Sequence, residues 1–379
     1  MSRLLWGALL LVLALRAWGE ALDLDGAIPA MVREIEVIRA EGGGAPRVLL
    51  KGVLPAKLPP PVWPAGPRDG APRRGDAKLG FWLWEYRAAL ARREAVLDAC
   101  RDWRCARLLV QLPALDDPPS LWSAYARFLA MAGERGIEAF ALDGYPEAIH
   151  DPRPLLDKLQ RLRALKPQGL AGVQLDIEPY LLAEFSHDPE AALSRYLAAV
   201  GRIQRAVDGW TRLSVVMPFW FAALAVHGRP AAFAIMDMAD EVAVMSYRTD
   251  LEELQAGAAD ILRYGDLAAV PVWLAVETVA LPLERHLVLR PEPRRELADA
   301  YLDRSAGRLV LEPPGADTAP ADRFRIHHRI EVRPERITFA GQTRRQVLAA
   351  VAALAAAVAN PSLAGVLIHD LDHFLALPE

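Results

Sequence analysis

Gln174, Asp176 and Glu178 occupy alternate positions of the run Gly172-Val173-Gln174-Leu175-Asp176-Ile177-Glu178-Pro179-Tyr180. In extended backbone alternate side chains share a face, which sets the two carboxyls about 7 Å apart and looking the same way. If both ionise, like charges oppose each other, so at least one is expected to keep its proton above the ordinary carboxylate range. A carboxyl still protonated at neutral pH is what a general acid for glycoside cleavage requires. Glu277 closes a second apolar run, Trp273-Leu274-Ala275-Val276-Glu277. Brought to about 5–5.5 Å from each other, Glu178 and Glu277 would form the acid/base and nucleophile of a retaining glycosidase. The plainer reading is that these acids cap strands and bind neighbouring arginines or backbone groups.

The elements that must position them follow from hydropathy. Eight short apolar runs, Gly80–Tyr86, Arg107–Leu112, Ile137–Leu142, Ala171–Glu178, Leu213–Phe219, Glu241–Tyr247, Val272–Glu277 and Ala364–His369, alternate with amphipathic helical patterns. Runs apolar on both faces belong to a parallel sheet covered by helices. Eight such units predict an α/β fold of the (β/α)₈ type, a TIM barrel, in which chemistry gathers at the C-terminal strand ends. A doubly wound sheet would want a Gly-rich turn after its first strand, and Trp84-Glu85-Tyr86-Arg87 is nothing like one. At the strand ends stand Trp84, Glu85, Asp143, Tyr145, Asp176, Glu178, Trp220, Tyr247, Arg248, Glu277, His369 and Asp370. Val173, Leu175 and Ile177 are expected to pack outward against helices. Before the first strand, Ile28, Met31, Val32, Ile35 and Ile38 fall at helical spacing and predict a helix over 25–40 that closes the ring in place of a full eighth helix. The division read from this pattern is a leader at 1–19, a helix and Pro-rich strap at 20–78, and a barrel at 79–379. An insertion at 280–342 interrupts the barrel between strands seven and eight. Its alternating segment, Arg323 to Val332, predicts a hairpin projecting from the barrel mouth.

Gly172-x-x-x-Asp176-x-Glu178 resembles the fourth-strand signature of the chitinase-like glycoside hydrolases (family 18), in which Asp-x-Asp-x-Glu ends with the general acid. Met245-Ser246-Tyr247 is similar to that family's Met-x-Tyr on strand six, and Gly365 to Asp370 to its last strand. The departures are Ala171 and Gln174 in place of acids, Arg248 where Asp is common, and His369 where an aromatic is usual. The resemblance implies Glu178 as proton donor to the leaving oxygen. It implies Asp176 as the group that orients a substrate acetamido nucleophile, with Tyr247 in support. Glu178-Pro179 and Glu277 also resemble the strand-four and strand-seven glutamates of the large clan typified by cellulases and β-galactosidases. Both schemes share Glu178.

Aromatics at or near the strand ends, among them Trp82, Trp84, Tyr145, Tyr180, Phe219 and Trp220, suit the apolar faces of sugar rings. His369-Asp370-Leu371-Asp372-His373 is rich in metal-ligand types, which keeps a metal-dependent hydrolase as a third reading. Strand one carries no histidine, however, and no metal or cofactor is expected. His327-His328 lie in a charged alternating run and read as solvent-facing. There is no Gly-x-Ser-x-Gly elbow and no phosphate loop, and neither cysteine falls at a strand end. The 379 residues include 44 Lys and Arg against 48 Asp and Glu, a net charge of −4 that leaves no footprint for nucleic acid. Arg3 followed by the apolar run Leu4–Leu15 and Ala17-Trp18-Gly19 has the layout of a secretory signal, too short for the ~20 residues of a membrane span. In an oxidising compartment Cys100 and Cys105 are either bonded or a pair of buried thiols. The expected function is an exported glycoside hydrolase, secreted or periplasmic, cleaving a polysaccharide or oligosaccharide. A non-catalytic carbohydrate-binding barrel is the alternative.

Overall fold

Side chains that are apolar on both faces of a strand need two hydrophobic layers, and a closed barrel supplies them. In the computed structural model, which describes residues 20–24, 28–52, 58, 61–64 and 77–379, eight parallel strands close into a barrel. In chain order they are Lys78–Leu83, Arg107–Gln111, Glu138–Asp143, Leu170–Leu175, Arg212–Pro218, Glu241–Met245, Val272–Glu277 and Leu363–His369. Each pairs with the next, and the eighth pairs with the first. Val173, Leu175 and Ile177 face outward into the large core shared with the surrounding helices. Trp82, Leu109, Phe140, Trp273 and Leu367 fill the lumen.

The lower end of the lumen is closed by charge. Arg107, Glu138 and Glu241 each open a strand. The Arg107 guanidinium sits 4.1 Å from the ring centres of both Phe140 and Trp273. It is ion-paired to Glu138 at 2.6 Å and to Glu241. At 2% exposure Arg107 has no water to fall back on, so the two carboxylates and two rings are its solvation. Gly172 is required by the same packing. A Cβ there would lie 2.2 Å from the Phe140 ring.

Helix ends are sealed locally. The Asp250 side chain accepts from the N–H groups of Glu252 and Glu253 to start Leu251–Ala268, and Thr343 with Gln346 forms a capping box before Arg344–Ala357. After the eighth strand comes only the short helix Leu371–Ala376, capped by Asp370. Cys100 and Cys105 are bonded. Cys105 lies beyond the helix Arg93–Asp102, and Arg104 at φ +54° folds the chain back. Trp63, from the Pro-rich stretch, packs on Phe233 and under Arg263.

The helix expected over 25–40 is not formed. Glu34–Ala40 is a strand, paired with Arg47–Lys51 on one side and Glu284–Pro291 on the other. The cause is a competing period of two: Ile35 and Val37 point into a small core while Glu34 and Glu36 share Lys51 on the opposite face. With Val32, Ile35, Val37 and Ile38 all β-branched, the strand suits these side chains better. This strand therefore does not close the barrel ring. Nor is the insertion a lone hairpin. Arg323–Val332 belongs to a seven-stranded antiparallel sheet with order Glu20–Asp23, Arg308–Leu311, Ala300–Asp303, Arg323–Val332, Glu284–Pro291, Glu34–Ala40 and Arg47–Lys51. The chain thus forms two compact units, one from residues 1–54, 186–188 and 282–333, the other holding the barrel. The leader at 1–19 and most of the Pro-rich stretch lie outside the described residues.

Candidate active site

Strand four ends at Leu175, three residues before the predicted end, and the chain then runs extended into a 3₁₀ turn at Pro179–Leu181. The Asp176 N–H continues the ladder by donating to the Asp143 carbonyl at 3.0 Å. Gly144 makes this possible, because a Cβ there would stand 2.0 Å from the Asp176 carbonyl oxygen. Below this point Gln174 is locked in the lumen. Its Oε1 accepts from Trp82 Nε1 at 2.6 Å, and its Nε2 donates to Ser214 Oγ at 3.0 Å. Asp176 and Glu178 are thereby delivered into the mouth.

They open onto a cleft of about 680 Å³ at the C-terminal end of the barrel. Of the residues singled out in the sequence, Trp84, Tyr145, Asp176, Glu178 and Trp220 line it, as do Tyr247, Arg248, Glu277 and His369. Three do not. Asp143 is buried and engaged by Lys158 Nζ at 2.6 Å and by the Gly144 N–H. Glu85 is exposed away from the cleft. Asp370 spends its carboxylate on the N–H and ring of His373. Tyr180, Phe219 and Ile337 also line the cleft, and Ile337 falls within the insertion expected at 280–342. Residues 334–341 in fact return to the barrel, where Phe339 N–H donates to the Glu277 carbonyl at 2.8 Å.

The acids differ in how fully they are satisfied. Glu277 Oε1 accepts from the N–H groups of Thr278 and Val279 at 2.8 and 2.7 Å. Both of its oxygens lie within 3.0 Å of His369 Nδ1. Asp176 has the opposite environment: its Oδ1 is buried with no hydrogen-bond partner among the described residues. Burial first, then the charge of Glu178, push its carboxyl up to about 8, against a smaller opposing pull from His369. Burial also raises Glu178, while a hydrogen bond from the Tyr180 hydroxyl and the nearby His369 act the other way. His369 is itself raised. Burial works against its charged form, but the hydrogen bond and charge of Glu277, then Asp370 and Asp176, outweigh it. Tyr247 lies against the His369 ring, 6.3 Å between centres, and burial lifts its hydroxyl far above the ordinary range.

This arrangement can hold a proton on one of two adjacent carboxyls at neutral pH, beside a ring pair, Tyr180 and Trp220, 5.3 Å apart. No three His, Cys, Asp or Glu side chains gather as a metal-ligand set among the described residues. Asp372, from the ligand-rich run after strand eight, is instead paired with Arg92. The Tyr180 contact was the signal sequence reasoning missed. Pro179 turns the chain so that Tyr180, the next residue, returns its hydroxyl to Glu178.

No protein-family model matches the sequence, and no curated protein matches it. Solved structures with similar folds include the spore cortex-lytic enzyme SleL of Bacillus cereus, at 9% identity and TM-score 0.43 over 82% of this chain and 76% of that one. A chitinase from Bacteroides thetaiotaomicron gives 11%, 0.43, 79% and 91%. The GH18 chitinase ChiB of Flavobacterium johnsoniae gives 12%, 0.42, 79% and 89%. A deoxyribose-phosphate aldolase of Coccidioides immitis is also similar, at 12% identity and TM-score 0.37 over 55% of this chain and 78% of that one. At this identity and superposition the barrel assignment stands on the chain's own strand pairing, and the chemistry on its own side chains. Among the described residues no helix is long and apolar enough to cross a membrane.

Proposed function

We propose that this barrel is an exported glycoside hydrolase acting on a polysaccharide, with Glu178 as proton donor and Asp176 as the group that holds a substrate acetamido nucleophile. The observation that supports it best is the paired carboxyls at the cleft, one of them with an unpartnered buried oxygen. Asp176 accepts from the substrate's acetamido N–H, which gives its bare oxygen a partner and turns the acetamido carbonyl oxygen, free of any donor, toward the anomeric carbon. As that oxygen attacks the anomeric carbon, Glu178 delivers its proton to the leaving oxygen. Glu277 serves best as a positioning residue, since three donors, the Thr278 and Val279 N–H groups and His369 Nδ1, already engage it. This favours substrate assistance over an enzyme nucleophile. The aromatic walls of Trp84, Tyr180 and Trp220 suit sugar rings, whose axial C–H groups pack on flat faces.

The test is release of reducing ends from a panel of bacterial glycans by the wild type beside Glu178→Gln. The variant is expected to fold normally, by circular dichroism, and to lose a hundredfold or more of turnover, on the order expected for a general acid. Unchanged turnover in a folded variant removes the hydrolase reading. Saturable binding with no product from the wild type supports the non-catalytic barrel, a reading that gains from Gln174, which is neutral and internally satisfied where the family carries an acid.

A further inference from the structure

At the end of strand eight the cleft wall presents a histidine held in one orientation. Both Glu277 oxygens lie within 3.0 Å of Nδ1, and two backbone N–H groups fix that carboxylate in turn. The ring is braced by Trp82, edge-on at 5.8 Å, and by Tyr247, nearly parallel at 6.3 Å. With Nδ1 taken and the side chain lining the cleft, Nε2 is the nitrogen left for a ligand. A carboxylate behind an imidazole favours its doubly protonated form, in which Nε2 is a charged donor.

A second cation lines the same cleft. Arg248 lies over the Phe219 ring at 5.2 Å and donates Nη1 to the Tyr247 carbonyl at 2.7 Å. Its ion-pair partner among the described residues, Glu253, is 3.8 Å from Nε and is shared with Arg336. Glu253 is thus divided between two guanidiniums. Of the acids lining the cleft, Glu277 is paired with His369 Nδ1, while Asp176 and Glu178 are pushed toward their neutral forms.

Resting on the carbohydrate reading of this cleft, we propose that its substrate is an acidic glycan, with a hexuronic acid carboxylate received between His369 Nε2 and the Arg248 guanidinium. Charge-assisted hydrogen bonds to a carboxylate are stronger than those to a hydroxyl, and Arg presents a fork suited to it. A neutral sugar would leave the charged Nε2–H facing solvent or an ill-matched hydroxyl.

The probes are two hexasaccharides with the same 2-acetamido sugar: one from hyaluronan, alternating that sugar with a hexuronic acid, and chitohexaose, which has no carboxylate. Binding is measured by calorimetry on the full chain carrying Glu178→Gln, alone and combined with His369→Gln or Arg248→Gln. The expected result is at least tenfold tighter binding of the hyaluronan fragment, weakening with added salt. Each added substitution should remove most of that preference and leave chitohexaose nearly unaffected. Equal affinities, a preference for chitohexaose, no binding of either, or a preference indifferent to both substitutions overturns the proposal. Glu178-dependent cleavage of chitohexaose together with equal affinities sinks this inference alone. A preference for the acidic fragment with turnover indifferent to Glu178 sinks only the hydrolase reading. Should His369→Gln fail to fold, Arg248→Gln, on the rim, carries the test.

Discussion

Asp176→Asn should make this protein more stable at neutral pH and leave it unchanged in acid. The carboxyl ionises near 3.8 in an open chain but is held up at about 8 in the fold. Between those values the folded state carries a proton that the unfolded state has released. Stability therefore falls as pH rises across that window, by ~1.4 kcal/mol for each pH unit. From 3.8 to neutrality is roughly three units, so the ceiling on the penalty is about 4 kcal/mol at pH 7. Glu178 shares the proton and His369 eases the charge, so a penalty of about 2–4 kcal/mol is expected. Asparagine fills the same space, cannot ionise and removes the dependence. Among the described residues every tryptophan lies in the barrel unit, so urea unfolding followed by tryptophan fluorescence reads the relevant transition. Wild type and variant should coincide near pH 4, diverge steadily to pH 8 and run parallel above it. A stability difference that is flat across pH 4–8, or one favouring the wild type at pH 8, refutes the reasoning.

Tyr180→Phe removes the hydroxyl that stabilises ionised Glu178. The Glu178 carboxyl should then hold its proton to higher pH, and the alkaline limb of kcat/KM should move upward while its maximum falls. A limb that stays in place or moves down contradicts the assignment of Glu178 as the acid. Arg107→Leu takes from buried Glu241 its close partner, leaving Arg212 at 3.8 Å, while Glu138 keeps Lys78 and Arg212, and should cost about 3 kcal/mol in urea unfolding. Arg107→Leu combined with Glu241→Leu should recover much of that loss, and a double variant as weak as the single one would mean the rings, not the charges, set the cost.

The barrel was legible because its strands must be apolar on both faces and eight such runs alternate with helices, with no Gly-rich turn after the first to favour a doubly wound sheet. Strand ends were less so: registered pairing stops at Leu175, a single bond from the Asp176 N–H to the Asp143 carbonyl extends it, and by Glu178 the chain is turning toward Pro179. The error at 25–40 has a specific origin. Ile28, Val32, Ile35 and Ile38 satisfy a helical period, but Ile35 and Val37 also satisfy a strand period, and the partner that decides between them, Glu284–Pro291, lies about 250 residues away. No local window contains it. The same non-local pairing turned an expected hairpin into part of a seven-stranded sheet.

At the site, residue type and position identified most of the cleft but could not say which acids were already occupied. Asp143, Asp370 and Glu277 stand at strand ends just as Asp176 and Glu178 do. Lys158, His373 and His369 engage the first three. Those partners come from a following helix turn or a neighbouring strand, so no spacing rule on the acids' own strands could reveal them. A satisfied carboxylate has spent its lone pairs on the fold and gains little from a ligand. One left with a bare oxygen in a buried wall gains most, since the penalty for that oxygen falls only when a substrate arrives. By that criterion the chemistry belongs to Asp176 and Glu178, and Glu277 acts through the imidazole it holds.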